Sequence, residues 1–397
     1  MSPDMETTQP RIDPKILLDL YEKMLRVYFV EERVKIFSKQ NKCAFVASSR
    51  GHEKVQIATA MLLQRGKDWF FPYYREKALM VGLGMSLKDI FLGMLSRDTD
   101  PNSRGRNMSE HFSSKELRVV SPTACTGTQF LPAVGMAKAI REDGRDEIVY
   151  VSSGEGATSE GEFFEALNWA SRESLPVLFV IQNNGFAISV PQEVQTHSEV
   201  YKMGLGFGMR SLQVDGTRFT NMYTTLQPLV RDMRKGEGPV LVEAHVVRLD
   251  SHSSSDDQTK YRTPEEIDEV RKHDPLKHTE LQLLSRGVAT EKEIADLRAR
   301  IEVEVTAAAD EADAAPEPDP AHVLDDIYSH ETPVSVETPY TPVSDVPVAM
   351  VDAVNHGLRE EMERNPRIVM WGEDIADPKG GVFGVTRGSA TAFRAAS

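Results

Sequence analysis

Residues Ile148 to Ile188 read IVYVSSGEGATSEGEFFEALNWASRESLPVLFVIQNNGFAI. An apolar run, Ile148 to Val151, ends in Ser-Ser-Gly-Glu-Gly. An amphipathic segment from Ser159 to Ser171 follows, and a second apolar run, Val177 to Ile181, ends in Gln-Asn-Asn-Gly. The pattern predicts a buried strand, a crossover helix and a second strand. Such connections between parallel strands are right-handed, and open α/β sheets bind ligands at the carboxyl ends of their strands. Glu155 and Asn184 are therefore expected at one sheet edge. A carboxylate beside an amide oxygen suits Mg²⁺, which takes one or two protein carboxylates and completes its octahedron with phosphate oxygens and water. Gly154 and Gly156 allow close backbone approach, and Ala157 to Glu160 are expected to open a helix whose free N–H groups attract phosphate. The stretch predicts a metal-diphosphate site. Taken singly, Gly-Glu-Gly and Asn-Asn-Gly are also ordinary turn signals; their placement after two buried strands makes the pair specific. Position 159 is Ser, so no GxGxxG is completed, and the chain has no GK[ST] for a P-loop.

The whole chain has 397 residues and a formal net charge of −15. That length supports two or three domains, and that charge argues against sequence-independent nucleic-acid binding. Only Cys43 and Cys125 occur, too few for a disulfide framework or a Cys zinc site, which fits a reducing compartment. The opening MSPDMETTQP has neither a basic n-region nor an apolar h-region, and no apolar run reaches the roughly 20 residues that span a membrane. A cytoplasmic location without membrane association is expected.

Asp13-Pro14 reads as an N-cap and first helical residue, and Leu17, Tyr21, Met24, Leu25 and Tyr28 recur on one helical face. His52 follows Arg50-Gly51 and precedes an apolar-periodic segment; with no HExxH it reads as structural or capping. Asp68 to Glu76, DWFFPYYRE, is an aromatic strand followed by an ion-pairing segment, or a strand ending in a ligand-binding Tyr74-Arg75. Residues 98 to 110 form a polar, turn-rich loop of the kind that is functional or solvated. Strands are also expected over Ser211 to Val214 and Pro239 to Val247, the second leading into Arg248-Leu-Asp-Ser-His-Ser-Ser-Ser-Asp-Asp.

The run from Gly154-Glu-Gly to Asn183-Asn184 resembles the thiamin diphosphate motif. Its surroundings, from about residue 20 to 290, are similar to α subunits of 2-oxoacid dehydrogenase E1 components, the branched-chain type above all. The landmarks, in order, are Tyr74-Arg75-Glu76, Gly105-Arg-Asn-Met108, Thr128-Gln129, the central motif, Ser251 to Asp257, and Tyr261-Arg262. The resemblance implies an enzyme that decarboxylates a 2-oxoacid oxidatively on thiamin diphosphate and passes the acyl group to a lipoylated E2 partner. It implies cofactor contacts from Tyr74, Arg75, Thr126, Gly154, Glu155, Gly156, Ala157, Asn184, Ile188 and His252, and Mg²⁺ held by Glu155, Asn184 and the carbonyl of Phe186. His252 becomes a diphosphate contact and the acid/base of acyl transfer; Arg106 and His111 border the active-site channel; Ser253 matches a position phosphorylated in mitochondrial relatives. In branched-chain relatives the loop Ser121 to Gln129 also binds K⁺, but Ala124 and Cys125 stand where those relatives carry Ser and Pro. Gln182 stands where close relatives carry a basic diphosphate ligand, and Phe186 where they carry Tyr.

The expected fold is α/β, a three-layer thiamin diphosphate-binding fold with a parallel sheet flanked by helices over residues 1–305. A linker rich in Ala, Pro and acidic residues is expected over 306–346, then an incomplete second α/β domain over 347–397. That last part, with an amphipathic helix at Met350 to Met362, a short buried strand at Ile368 to Trp371 and Gly372-Glu-Asp, is similar to the opening of an E1 β subunit. The reading is of an α subunit fused to the start of a β subunit, with the E1 β domain in cis or trans and assembly as a dimer of fused chains or α2β2. A pyruvate or acetoin dehydrogenase E1 is the neighbouring alternative, and a non-catalytic E1-like assembly subunit the alternative of another class.

Overall fold

The computed structural model describes residues 12–325, 327–328 and 346–389. The chain separates into two compact units, Met1–Leu324 and Asp325–Ser397.

The first unit is built on five parallel strands in the order β1-β2-β3-β7-β6. They are β1 (Trp69–Phe71), β2 (Val149–Gly154), β3 (Val177–Asn183), β6 (Arg210–Asp215) and β7 (Val240–His245); β4 (Phe186–Ala187) and β5 (Val190–Pro191) form a separate antiparallel pair. Successive side chains enter opposite faces of the pleat. Phe70, Tyr150, Leu178, Val180 and Val242 join one core, whereas Phe71, Val149, Val151, Phe179 and Ile181 join the other. Burial on both faces makes such strands continuous apolar runs rather than alternating ones, as in Val177 to Ile181.

Helices cover the two faces. On the first lie α1 (Pro14–Lys39), α2 (Glu53–Leu62), α3 (Lys77–Leu83) and α4 (Leu87–Met94); on the second, α5 (Phe130–Glu142) and α6 (Gly161–Arg172). The four-residue α7 (Gln192–Gln195) sits beside the β4–β5 pair, and α8 (Val200–Gly206) returns to the second face. Then α9 (Phe219–Met233) and, past α10 (Pro264–Lys272), α11 (Pro275–Ser285) and α12 (Glu291–Asp313) complete the first core. The three-layer parallel architecture is the expected one. As the spacing predicts, Asp13 caps α1 by accepting from the Lys15 N–H at 2.8 Å, with Pro14 at the first position. The helix expected to open at Ala157 to Glu160 is different: Glu155–Ser159 is a 3₁₀ turn, and Glu160 in extended backbone (φ −72°, ψ 141°) separates it from α6.

The boundary expected at residue 305 is also corrected. Residues 306–313 belong to α12, whose Thr290–Glu293 capping box fixes its start. Val305, Ala309 and Ala312 recur on one face and are fully buried, against α1 and α4. The acidic residues of the run meet bases on α1 and just after α4: Arg33 with Asp310 at 2.5 Å, Arg97 with Asp313 at 3.0 Å. An Ala-rich, acidic composition is thus a close-packing helix face with a paired polar side, and the unit closes only at Leu324. Residues 329–345 of the expected linker lie outside the described residues.

In the second unit, α13 (Met350–Arg364) forms as expected. Asn355 Nδ2 donates to the carbonyls of Val385 and Arg387 at 2.8 and 3.1 Å. The short buried strand expected at Ile368 to Trp371 does not form: Val369 and Trp371 are 43% and 66% exposed. An extended segment with no neighbouring strand has no ladder to join. Among the described residues no helix is long and apolar enough to cross a membrane.

If α12 packs as described, Ala309→Asp places a carboxylate in a dry helix interface and is expected to destabilise the chain by at least about 3 kcal/mol. Thermal melting of the variant checks this; an unchanged midpoint would restore the tether reading of residues 306–313.

Candidate functional site

Strands β2 and β3 pair in register as far as Gly154 and Gln182, so the residues that follow leave the sheet edge side by side. The Asn184 N–H donates to Glu155 Oε2 at 3.2 Å. Glu155 is 1% exposed, yet its Oε1, and Asn184 Oδ1, are buried without a hydrogen-bond partner. Burial pushes the Glu155 carboxyl above its ordinary value, opposed by backbone N–H groups of Glu155, Asn184 and Phe186 and by the Arg248 charge. Native proteins rarely leave buried side-chain oxygens unserved. Two hard oxygens orphaned on residues joined by one hydrogen bond fit a divalent cation. Among the described residues no three His, Cys, Asp or Glu side chains cluster into a protein cage, so ligand oxygens and water would complete the coordination.

The 3₁₀ turn after β2 frames this pair. A Cβ on Gly154 would meet nothing within 4 Å, whereas one on Gly156 would lie 2.9 Å from Ala187 Cβ. Gly156 is therefore required by the β4 segment, and Gly154 borders open space. Gln195 Nε2 donates to the Gly156 carbonyl at 2.9 Å and to Ser159 Oγ at 3.1 Å, which fastens the turn and half-buried Ala157 within it. The loop bearing exposed Thr126 lies against the same turn, because a Cβ on Gly127 would sit 2.9 Å from Glu160 Cγ. Ile188 has φ +57° and a side chain 52% exposed; its carbonyl accepts from Arg248 Nη2 at 2.8 Å. The Phe186 ring lies 4.3 Å below the Arg262 guanidinium.

Tyr74, Arg75 and His252 converge. Arg75, 2% exposed, donates through Nη1 to the Ser48 carbonyl at 2.8 Å and through Nη2 to the His252 carbonyl at 2.9 Å. His252 Nδ1 lies 3.3 Å from the same Nη2. Guanidinium is a donor only, so Nδ1 is the acceptor and the proton sits on Nε2, which faces the Tyr74 hydroxyl at 3.5 Å. Burial first, then the charges of Arg75 and Arg248, pull the His252 pKa down to about 4. The loop is held by Asp256 Oδ2, which accepts from the His252 N–H at 2.8 Å and from the Tyr261 hydroxyl at 2.5 Å. Ser253 is buried, its Oγ 3.1 Å from that of Ser255.

Other expectations lead elsewhere. Gln182 is fully buried and turned under the sheet edge, donating to Glu76 and accepting from Gln56 Nε2 at 2.9 Å. Arg106 donates to the His322 carbonyl at 2.8 Å, and buried His111 has Nδ1 2.9 Å from the Ser109 carbonyl. In the Ser121 to Gln129 loop, Thr123 and Thr128 bond each other and the Cys125 carbonyl. Three residues outside the expected ligand set carry orphaned buried atoms: the Tyr73 hydroxyl, Nε and Nη1 of Arg248, and both ring nitrogens of His52, which stands at the expected N-cap position but makes no side-chain cap bond. Arg248, a base directly after an apolar strand, carried a readable signal. His52 and Tyr73 carried none beyond residue type.

The model of the dehydrogenase E1 component family matches residues 21–321. The chain is 36% identical over 313 residues to the 2-oxoisovalerate dehydrogenase subunit alpha of Bacillus subtilis, covering 79% of this chain and 95% of that protein. It is 32% identical over 320 residues to the mitochondrial 2-oxoisovalerate dehydrogenase subunit alpha 2 of Arabidopsis thaliana, covering 80% and 67%. It is 30% identical over 310 residues to a pyruvate dehydrogenase E1 component subunit alpha of Staphylococcus aureus, covering 78% and 81%.

His252 is expected to titrate in the folded chain near pH 4, followed by ¹H–¹³C NMR of the ring. The unfolded chain takes up this proton near the ordinary 6.5, so His252 contributes stability that is full above pH 6.5 and lost as pH falls toward 4. A folded-state midpoint near 6.5 would show that the ring is neither buried nor faced by the charges of Arg75 and Arg248.

Proposed function

The chain belongs to the dehydrogenase E1 component family, and from that premise we propose that it is the α-type part of an E1 enzyme for the oxidative decarboxylation of a branched-chain 2-oxoacid, with acyl transfer to a lipoylated E2 partner. The family depends on thiamin diphosphate, which supplies the carbanion-stabilising chemistry when bound. The observation that carries the reading is the pair of orphaned oxygens, Glu155 Oε1 and Asn184 Oδ1.

In this reading Glu155, Asn184 and the Phe186 carbonyl hold Mg²⁺ to the diphosphate. Gly154, Gly156 and Ala157 present the backbone of the 3₁₀ turn to the same group, and Arg75 brings a buried positive charge. Thr126 meets the aminopyrimidine through its backbone, and Ile188 offers apolar surface beside the cofactor. Tyr74 and Arg75 orient His252, whose Nε2–H faces the Tyr74 hydroxyl and which is the acid/base of transfer to the lipoyl thiol. With a pKa pulled down to about 4, the free imidazole is neutral at physiological pH; an anion bound beside it would raise its proton affinity. K⁺ in the Ser121 to Gln129 loop is not part of this reading, because Ala124 and Cys125 stand where the resembled branched-chain relatives carry Ser and Pro.

A branched-chain substrate is favoured because relatives named for 2-oxoisovalerate match at 36% and 32% identity, above the 30% of the pyruvate relative. Pyruvate is the second reading. An E1 β-type domain, in cis or trans, supplies the remaining half of the site; the sequence of residues 347–397 is similar to the opening of such a domain.

Calorimetry tests the site. The chain is expected to bind thiamin diphosphate in a Mg²⁺-dependent manner, and Glu155→Ala with Asn184→Ala to weaken this by more than the roughly 10–100-fold lost with outer-shell partners. With a β partner and a lipoyl domain, kcat/KM for 3-methyl-2-oxobutanoate is expected to exceed that for pyruvate by about tenfold or more. Metal-independent binding, or binding indifferent to the double variant, would remove the assignment.

A further inference from the structure

His52 stands at the N-terminus of α2, fully buried, and neither ring nitrogen has a hydrogen-bond partner. Its position is tightly set. The preceding Gly51 has φ +101°, and a Cβ there would lie 1.9 Å from the Val247 carbonyl oxygen, so no other residue brings the chain this close to the end of β7. The contact fixes His52 one residue away from the strand end that launches Arg248.

Burial, and then the charges of Arg75 and Arg248, hold the His52 pKa well below its ordinary value, so the ring is neutral. A neutral imidazole carries one donor and one acceptor. The two guanidinium groups facing it are donors only. The Arg50 carbonyl bears on the ring and raises its pKa slightly, but it does not reach hydrogen-bond geometry. The ring N–H thus lacks an acceptor in a neighbourhood rich in positive charge.

The same neighbourhood holds other buried unserved atoms. Tyr73, whose hydroxyl is unpartnered, senses the charges of both Arg75 and Glu155. Arg248, with Nε and Nη1 unpartnered, senses Arg75 and bears on Glu155. An isolated packing fault at His52 would not recur in Arg248, whose charge bears on the ring. One bound anion accepting from several of them would account for all, and Gln182, turned toward Glu76, is not available to it.

We propose that His52 is a further binding residue of the diphosphate, its neutral ring donating an N–H to a phosphate oxygen. The proposal rests on the thiamin diphosphate reading of the Glu155–Asn184 site and adds to it a residue on α2.

The test is calorimetric titration of the full chain with thiamin diphosphate and Mg²⁺, and separately with Mg²⁺-pyrophosphate. His52→Leu is expected to raise both dissociation constants at least about tenfold, the usual loss for a hydrogen bond to a charged group, and His52→Gln, which keeps an N–H, to recover most of it. Wild-type affinity in His52→Leu, in a chain whose wild type binds and whose Glu155→Ala variant does not, would overturn the role of His52 alone. Absence of binding in the wild type would instead overturn the site reading on which it rests. Because a buried variant can misfold, ring ¹⁵N NMR of the unmodified chain gives the second readout. Addition of Mg²⁺-pyrophosphate is expected to bring the His52 N–H proton into slow exchange and shift it downfield; an unchanged His52 ring signal at saturation would overturn the proposal.

Discussion

The parallel ladder between β2 and β3 is the constraint from which the site follows. Its register ends at Gly154 opposite Gln182, and the chain delivers Glu155 and Asn184 just beyond the last paired residues. One bond, Asn184 N–H to Glu155 Oε2, fixes their mutual orientation and leaves one oxygen of each unsatisfied. Such an arrangement persists only on a rigid support. Packing on both faces of the sheet supplies it: Val149, Val151, Phe179 and Ile181 are locked on one side, Tyr150, Leu178 and Val180 on the other.

Three consecutive charges after β1 tie the surroundings to that edge. Arg75, Glu76 and Lys77 are 2%, 1% and 0% exposed, and each is served by a different part of the chain. Arg75 reaches the Ser48 and His252 carbonyls. Glu76 receives the Tyr150 hydroxyl at 2.6 Å and the Ser152 hydroxyl at 2.8 Å, with Gln182 as a third donor; burial still pushes its carboxyl up to about 7. Lys77 is paired with Glu110 and, at 3.5 Å, with Glu31, and donates to the Ala47 carbonyl at 3.0 Å. A buried ion stripped of one partner is far more costly than an exposed one. The tripeptide therefore couples the His252 loop, the sheet edge and the Ala47–Ser49 segment, and removing any one partner leaves a buried charge unserved.

Much of this was legible because it depends on local pattern. Two apolar runs with an amphipathic segment between them, an Asp-Pro cap and a Tyr-Arg pair after an aromatic strand all speak through neighbours in sequence. The failures concern properties set by distant partners. Residues 306–313 have the composition of a tether, and only α1 and α4 make their alanines a packing face. Ile368 to Trp371 has the composition of a strand without a neighbour to pair with. His52 looks like a capping residue because its neighbours Arg75 and Arg248 lie 23 and 196 residues further along the chain.

Gln182 shows why a single exchange at the sheet edge reaches beyond its own position. The family resemblance implies a basic diphosphate ligand at this position, on a strand buried on both faces. Here the amide instead completes the three-donor shell of Glu76, and the positive charge around the proposed diphosphate comes from Arg75 and Arg248. Neither sits within a strand. Arg75 is braced by the Ser48 and His252 carbonyls, and Arg248 by Ile188 and Tyr261. This charge sits on segments around the sheet, so order in the His252 loop and affinity for an anion become two expressions of one set of hydrogen bonds. An anion that engages these guanidinium groups stabilises the loop conformation that positions them, and a disordered loop withdraws the charge from the anion.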